Sequence, residues 1–274
     1  MKKTFLLLCV ALVATVTQVH AMDRAAYHAQ KKCTAQTQTV TDSILNAPHK
    51  YHEHYYERLQ LFDHQPTIQC TDIVMLGNSL TEGGGDWNQR LGKNNIVNRG
   101  ISGDIAMGIY DRLYQILPYH PAKIFLLVGV NDVSHDLSTD SIVHMIQTVI
   151  TAIRTQSPQT QLYVQSMLPI RESTGRWKRL IGKTSQIPEI NAKIEVWTAE
   201  HGIPYINLFP YFTETDTAIM RAELTYDGLH LTEAGYAIWT QLLKKFLLGI
   251  KVEYEHAQCR RIKQAHDSSF CPNF

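Results

Sequence analysis

The sequence lacks the features that mark several classes of function. Only 19% of its 274 residues are charged and the formal net charge is +1, so the charge balance does not favour nucleic acid or an anionic membrane as a partner. It contains no His-Glu-x-x-His pattern, no phosphate-binding Gly loop and no His or Cys spacing for zinc. We therefore predict no metal, nucleotide or other cofactor.

Long apolar runs are also missing. The run of residues 5–16 follows Lys2 and Lys3 and precedes Ala21, and it is too short to span a bilayer. This arrangement predicts a cleavable signal peptide of residues 1–21, cut after Ala21, in a secreted or periplasmic protein without a membrane anchor. Its removal takes away two lysines and no acid, which lowers the formal charge from +1 to −1.

Cysteine is scarce. Four of the five cysteines lie after the predicted signal peptide: Cys33, Cys70, Cys259 and Cys271. An even number in an exported protein is compatible with two disulfides. The three possible connectivities stay open, although a bond between the last two cysteines would close a short loop in the tail.

The remaining chain has the composition of one globular domain, with 44% hydrophobic residues. We predict an N-terminal arm at 22–48, a domain at 49–248 and a C-terminal tail at 249–274. Apolar runs typical of strands alternate with helical periodicities throughout the domain. The predicted strands are 73–76, 94–98, 123–130, 161–167 and 204–208.

This alternation predicts an α/β fold with three layers, α/β/α, around a five-stranded parallel sheet. Right-handed crossovers and short connections favour the flavodoxin-like strand order 2-1-3-4-5. An amphipathic helix is expected at 49–62, and its histidines (His49, His52, His54 and His64) are interpreted as a solvated face rather than a metal site.

A serine directly after the first strand is the candidate nucleophile. The apolar run 73–76 stops at Gly77, and Ser79 then precedes the Gly-rich stretch 83–85. A serine in this position is held at the carboxyl edge of a parallel sheet, where open α/β folds bind ligands. It needs a base, an orienting acid and oxyanion donors to act.

Residues elsewhere in the chain can supply those groups. Gly100 and Asn131 also follow predicted strands, and Asp227 stands three residues before His230 ahead of the last helix. We predict that His230 is the general base and that Asp227 fixes its tautomer. The backbone N–H groups of Ser79 and Gly100 and the side-chain amide of Asn131 are the expected oxyanion donors.

Four sequence blocks resemble those of the GDSL lipases and esterases, also called SGNH hydrolases. The blocks are Gly77-Asn-Ser-Leu80, Asn98-Arg-Gly100-Ile-Ser-Gly103-Asp104, Gly129-Val-Asn131-Asp132 and Asp227-Gly-Leu-His230. They occur in the family's order, and the similarity runs from about Tyr51 to about Leu248. The chain looks most similar to the exported bacterial branch akin to platelet-activating-factor acetylhydrolase subunits, which includes carbohydrate and sialate O-acetylesterases.

The resemblance implies the SGNH hydrolase fold and a serine esterase, with Ser79, His230 and Asp227 as triad and Gly100 and Asn131 as oxyanion donors. The chain departs from the family at Asn78, where the family name has Asp. Asp104 and Asp132 of the blocks are interpreted as cap and loop residues.

The expected substrate is an O-acetylated carbohydrate. No apolar lid or long hydrophobic insert is present, which favours acetyl over a long acyl chain. Arg171 or Arg176, in a basic loop after the fourth strand, can meet an anionic substrate such as sialic acid, and Trp87 or Trp177 can stack on a sugar.

Two alternatives stay open from the sequence. One is a lysophospholipase or other lipid acyl esterase with the same mechanism, and the other is a non-catalytic glycan-binding protein. The intact set of Ser79, Asp227 and His230 argues against the second. The sequence does not indicate the oligomeric state.

Overall fold

The computed structural model describes residues 51–247. Five short strands form one parallel sheet in the middle of this part of the chain. Their bounds are β1 Ile73–Gly77, β2 Ile96–Gly100, β3 Lys123–Leu127, β4 Gln161–Gln165 and β5 Tyr205–Ile206. The strand order is β2-β1-β3-β4-β5, which confirms the predicted flavodoxin-like order.

Eight helices accompany the strands within residues 51–247. They are α1 Glu53–His64, α2 Ser79–Gly83, α3 Trp87–Leu91, α4 Ala106–Asp111, α5 Val130–Ser134, α6 Thr139–Gln156, α7 Gln186–Glu200 and α8 Glu233–Leu247. Short 3-10 turns fill several of the connections. The last helix begins directly after Thr232, whose hydroxyl oxygen accepts the N–H of Gly235 and so caps the helix.

The sheet is buried on both faces because successive strand residues point to opposite sides. Val74 and Leu76 pack with α4, α6 and α7 on one face, whereas Ile73 and Met75 pack with α3 and α8 on the other. All five residues of β1 are buried, and a fully buried aliphatic side chain contributes about 2 kcal/mol. The three-layer α/β/α fold predicted from the sequence is confirmed.

Helix α1 forms a third, smaller core at the edge of the sheet. Tyr55, Leu59 and Phe62 recur at helical spacing and pack on Ile101, which follows β2. The Tyr55 hydroxyl donates to the carbonyl of Gly108 at 2.8 Å. These contacts attach α1 to the segment that connects β2 to α4.

Strand β2 differs from its prediction in position. It begins and ends two residues later than expected and pairs with β1 so that Gly100 lies opposite Gly77. Arg99 is buried within it, 3% exposed, and its guanidinium lies 4.6 Å from the Phe62 ring centre on α1. Arg99, which lies outside the predicted strand 94–98, is therefore part of β2.

Several expectations lie partly or wholly outside residues 51–247: the signal peptide, the arm, the tail, His49, and the cysteines at 33, 259 and 271. Cys70 is exposed. Within the described residues, no helix is both long and apolar enough to cross a membrane.

Candidate active site

Ser79 is the first residue of α2 and stands two residues beyond the end of β1. Asn78 caps this helix, since its side-chain oxygen accepts the N–H of Leu80 at 3.0 Å. A side chain on Gly77 would meet the Thr81 hydroxyl and the Leu127 carbonyl, so the turn requires glycine there. An asparagine oxygen serves this cap as well as an aspartate oxygen would.

Ser79, His230 and Asp227 form a continuous hydrogen-bonded chain. His230 Nε2 lies 2.9 Å from Ser79 Oγ, and His230 Nδ1 lies 2.8 Å from Asp227 Oδ2. Because an ionised carboxylate can only accept a hydrogen bond, Nδ1 carries the ring proton and donates to Asp227, and the neutral imidazole presents its Nε2 lone pair to the serine hydroxyl. The structure thus brings together the three residues that the sequence singled out.

The Asp227 carboxylate also organises its own loop. Its Oδ1 accepts the N–H groups of Leu229 at 3.0 Å and His230 at 2.7 Å. Burial would raise the pKa of Asp227, but the hydrogen bonds from the His230 ring and these two amides hold it below the usual value. Asp227 is therefore ionised at neutral pH while only 5% exposed.

Neighbouring hydroxyl groups hold this loop against the rest of the protein. Thr225 Oγ1 donates to the His230 carbonyl at 2.7 Å, and Thr174 Oγ1 donates to the Asp227 carbonyl at 2.8 Å. Gly228 adopts a φ of 92°, and a Cβ there would lie 2.3 Å from the Arg171 carbonyl oxygen. The histidine is consequently presented from a fixed backbone.

Gly100 does not offer the free N–H that the sequence analysis expected. It is the last residue of β2, and its N–H donates to Asn98 Oδ1 at 2.9 Å. A Cβ on Gly100 would lie 2.1 Å from the backbone nitrogen of Glu82. The glycine is explained by close packing of β2 on α2 rather than by an approach to substrate, and the assignment of its N–H as an oxyanion donor is corrected.

The turn of residues 101–104, which follows β2, lies beside Asn131 instead. Asn131 Nδ2 donates to the Asp104 carbonyl at 2.8 Å, and an amide group has a second N–H to offer. Within the turn the Ser102 N–H donates to Glu82 Oε2 and the Asp104 N–H to the Ile101 carbonyl. Gly103, at φ 81°, lies between these two residues, and its N–H has no hydrogen-bond partner within residues 51–247.

Gly103 lies within the second sequence block, but the sequence analysis assigns the donor role to Gly100. The usable sequence feature is a glycine inside a Ser-Gly-Asp turn directly after a strand, a setting that favours positive φ. Because β2 extends to Gly100 and not only to residue 98, the turn begins two residues later than the sequence predicts.

A buried ionic group lies behind this turn, and sequence reasoning missed its role. Arg112 is fully buried and donates from Nε to Asp104 Oδ2 at 2.8 Å and from Nη2 to the Gly77 carbonyl at 3.0 Å. It therefore links the strand end before the serine to the 101–104 turn. Asp104 was expected to cap α4, but its carboxylate pairs with Arg112, and burial still raises its pKa.

The cap of α4 comes from a distant part of the chain. Asp132, at the start of α5, accepts the Ala106 N–H with both carboxylate oxygens, at 3.2 and 3.1 Å. Burial raises the pKa of Asp132 to about 7. The interpretation of Asp132 as a simple loop residue is therefore incomplete, since it joins α5 to the turn before α4.

Two exposed aromatic side chains flank His230. The Trp177 ring lies 5.2 Å from the imidazole in an edge arrangement, and the Tyr226 ring lies 6.0 Å away and stacks nearly parallel to it. Trp177 is 38% exposed and Tyr226 is 69% exposed. Trp87 is different: it is buried, and its Nε1 donates to the Thr81 carbonyl, so it cannot stack on a ligand.

The two arginines proposed for substrate contact occupy different settings. Arg171 forms an ion pair with Glu214 and donates to the Met220 carbonyl, so its guanidinium already has partners within the protein. Arg176 is exposed. It directly precedes Trp177 in the chain, so its backbone adjoins that of the aromatic residue beside His230.

The comparisons with known proteins identify the family. The model of the GDSL-like Lipase/Acylhydrolase family matches residues 75–238. The chain belongs to this family. The resemblance seen in the four sequence blocks is thereby confirmed, and ester hydrolysis is the chemistry of the family.

Individual relatives and solved structures are similar to the chain over about two thirds of its length. The chain is 24% identical over 191 residues to platelet-activating factor acetylhydrolase IB subunit alpha2 of Homo sapiens, covering 66% of this chain and 78% of that protein. A solved GDSL-like lipase from Bacteroides thetaiotaomicron is 23% identical, with a TM-score of 0.62 over 70% of this chain and 96% of that one. An acetyl xylan esterase is 19% identical, with a TM-score of 0.53 over 64% and 99% of the two chains. The two solved structures show a shared fold.

Proposed function

We propose that this chain is a serine ester hydrolase that removes acetyl groups from O-acetylated carbohydrate. The observation that carries the proposal is the Ser79–His230–Asp227 chain, with separations of 2.9 and 2.8 Å. In GDSL-like acylhydrolases the reaction is ester cleavage, and a serine with an oriented imidazole is the group needed to begin it.

In the first step Ser79 Oγ attacks the acetyl carbonyl carbon while His230 Nε2 takes the hydroxyl proton. The imidazolium so formed is stabilised by the Asp227 carboxylate, and it then returns the proton to the departing sugar oxygen as the ester bond breaks. In the second step His230 takes a proton from water, the resulting hydroxide attacks the acetyl-serine, and acetate leaves. Ser79 recovers its proton from His230.

The tetrahedral intermediate carries a negative oxygen that needs donors. We assign the N–H groups of Ser79 and Gly103 and the Nδ2 group of Asn131 to this role, with Gly103 in place of Gly100. The hydrogen bond from Asn131 to the Asp104 carbonyl supports the assignment, because it holds the amide against the 101–104 turn. Loss of one such donor typically costs about 3 kcal/mol of transition-state stabilisation.

The rim of the site supports a polar ring substrate. Trp177 and Tyr226 present exposed aromatic surface beside His230, and aromatic faces pack against the apolar faces of sugars. Arg176 gives this rim a positive charge, so we propose an O-acetylated sialic acid, whose carboxylate a guanidinium can bind. The mammalian relatives are named as acetylhydrolases, which supports acetyl as the acyl group.

A lipid ester is the second candidate, because the same aromatic rim can pack against an acyl chain. A glycan-binding protein without catalysis is the third. It has no use for a buried, ionised Asp227 behind a histidine at hydrogen-bond distance from a serine, so we rank it last.

The deciding experiment measures acetate release from O-acetylated sialic acid and from acetylated xylan by wild type, Ser79→Ala and Ser141→Ala. Ser141 is an exposed serine in the first turn of α6 and serves as the matched control. We expect release by wild type and the control but not by Ser79→Ala. Turnover by Ser79→Ala would refute the mechanism.

The substrate class is tested separately. We expect Arg176→Ala to have a lower kcat/KM than wild type on the sialic acid ester and an unchanged kcat/KM on nitrophenyl acetate. If the variant kept the wild-type kcat/KM on the sialic acid ester as well, the sialate assignment would be refuted. A preference for nitrophenyl octanoate over acetate would favour the lipid alternative. A folded protein that fails to react with a fluorophosphonate probe would favour the binding protein.

Export is part of the same proposal. Lys2, Lys3 and the apolar run 5–16 before Ala21 support a signal peptide. N-terminal sequencing of the protein recovered from the periplasm or medium should begin at Met22, and an intact Met1 there would contradict cleavage.

A further inference from the structure

An acidic side chain on α2 holds the 101–104 turn in place. Glu82 lies three residues after Ser79, on the helix that the serine begins. Its Oε2 accepts the N–H of Ser102 at 2.5 Å. Since Ser102 precedes Gly103, this bond fixes the peptide unit directly before the one that carries the Gly103 N–H, and so restricts the turn at that point.

Helix α1 in turn holds Glu82. His54 Nε2 lies 3.0 and 3.1 Å from the two carboxylate oxygens of Glu82. Arg58 Nε lies 3.5 Å from Glu82 Oε1, and its Nη2 donates to the Gly100 carbonyl at 3.2 Å. One helix therefore contacts both the acidic side chain and the last residue of β2.

A third side chain from the start of α1 covers the same turn. A Cβ on Gly103 would lie 2.7 Å from His52 Nε2, so the imidazole ring packs directly against this glycine. His52 itself is fixed as the N-cap of α1, where its side chain accepts the Tyr55 N–H at 3.2 Å.

The protonation state of Glu82 suits this arrangement. Burial would raise the pKa of Glu82, but hydrogen bonds from Ser102 and His54 and the charge of Arg58 hold it below the usual value. The carboxylate is ionised at neutral pH, and bonds from amides to ionised acceptors are stronger than neutral ones. Ser102 is thus held more firmly than by an ordinary turn.

We infer that Glu82 is a positioning residue for the oxyanion donors, held in its working position by His54 and Arg58 of helix α1. The inference rests on the proposed esterase function. Helix α1 ends before residue 75, where the family match begins, so this support comes from the chain's own N-terminal helix. It acts on the transition state and not on the ground-state ester, because the oxyanion forms only during reaction.

The test compares Glu82→Ala and Glu82→Gln with Glu233→Ala in nitrophenyl acetate hydrolysis. Glu233 is a matched control: it is also paired with an arginine, Arg90, at 2.9 Å, but it is 82% exposed. We expect Glu82→Ala to lower kcat by about 10- to 100-fold with KM changed less than about twofold. Glu82→Gln should recover much of the loss because its amide oxygen still accepts the Ser102 N–H, and Glu233→Ala should keep wild-type kcat.

A tetrahedral inhibitor gives an independent readout. Phenylboronic acid binds to a reactive serine as a tetrahedral adduct that uses the oxyanion donors, so its inhibition constant in Glu82→Ala should rise by the same factor as kcat falls. If Glu82 served folding alone, Glu82→Ala would have a lower thermal midpoint, but its inhibition constant would not rise in proportion to the fall in kcat. That outcome would overturn the inference.

Ser79→Ala in the same assay distinguishes a failure of the proposed esterase function from a failure of the positioning role of Glu82. If Ser79→Ala is active, the proposed function fails and the inference fails with it. If Ser79→Ala is inactive while Glu82→Ala keeps wild-type kcat and boronate affinity, the esterase stands and only the positioning role is overturned.

Discussion

The two oxygens of Asp227 have separate tasks, and two substitutions distinguish them. Oδ2 meets His230 Nδ1 at 2.8 Å, whereas Oδ1 accepts two backbone N–H groups at 3.0 and 2.7 Å. Asp227→Asn can keep Oδ1 for the two amides, but its NH₂ group then faces Nδ1. The imidazole must accept there, which places its proton on Nε2 and removes the base that faces Ser79.

The expected magnitudes follow from this geometry. Asp227→Asn should lower kcat by about 10⁴-fold, equivalent to about 5.5 kcal/mol of transition-state stabilisation. It should lower the free energy of unfolding by only about 1 kcal/mol, because two neutral hydrogen bonds replace two charge-assisted ones. Asp227→Ala should match the loss of kcat but cost about 3 kcal/mol of stability, since both amides lose their acceptor.

Nitrophenyl acetate hydrolysis and urea denaturation measure the two quantities. Asp86→Asn is the matched control, because Asp86 also accepts two backbone N–H groups, at 2.9 and 3.2 Å, as the N-cap of α3. It should show the small loss of stability without the loss of kcat. An Asp227→Asn variant that keeps more than a tenth of wild-type kcat would refute the assigned role of Oδ2.

Three further substitutions test the groups around the site. Gly103→Ala should abolish most activity and lower stability, because its φ of 81° strains an alanine and the new methyl group meets His52; wild-type kinetics would contradict its assignment as a donor. Arg112→Leu should cost about 3–5 kcal/mol in urea denaturation by leaving Asp104 buried and unpaired, and a loss below about 1 kcal/mol would contradict the buried pair. Asp132→Asn should gain stability relative to wild type as pH rises from about 4 to about 7, because the folded-state pKa of about 7 exceeds the unfolded value near 3.9. If the free energy of unfolding of Asp132→Asn differed from that of wild type by the same amount throughout this pH range, the raised pKa of Asp132 would be contradicted.

The strands of the sheet were predictable because each is a short apolar run. Strands buried on both faces give this pattern wherever helices cover the sheet. The exception, β2, contains Asn98 and Arg99, whose polar side chains indicate a loop when the neighbouring structure is unknown. Arg99 is buried there by stacking on Phe62 and bonding to Gln65 Oε1 at 2.5 Å, a tertiary contact that no local pattern encodes.

The grouping of the candidate catalytic residues was accessible from sequence because strand ends share one edge of a parallel sheet. That rule places Ser79 and Asn131 at the same edge of the sheet. The three-residue spacing from Asp227 to His230 lets the carboxylate contact the imidazole ring. Arg112 was not accessible, because apolar residues recur at helical spacing on both sides of it, at 105, 109, 113, 116 and 117, and this pattern alone indicates one continuous helix. The helix instead ends at Asp111, and the irregular turn that follows directs the guanidinium into the protein.

The placement of Trp177 gives the chain an optical reporter of its own site. Of its four tryptophans, Trp87 and Trp239 are buried, Trp197 stacks on His201 at 4.1 Å, and Trp177 alone lies beside His230. A ligand that covers the imidazole must also displace water from this indole. The difference in emission between wild type and Trp177→Phe therefore isolates the occupancy of the site, without a label and without turnover.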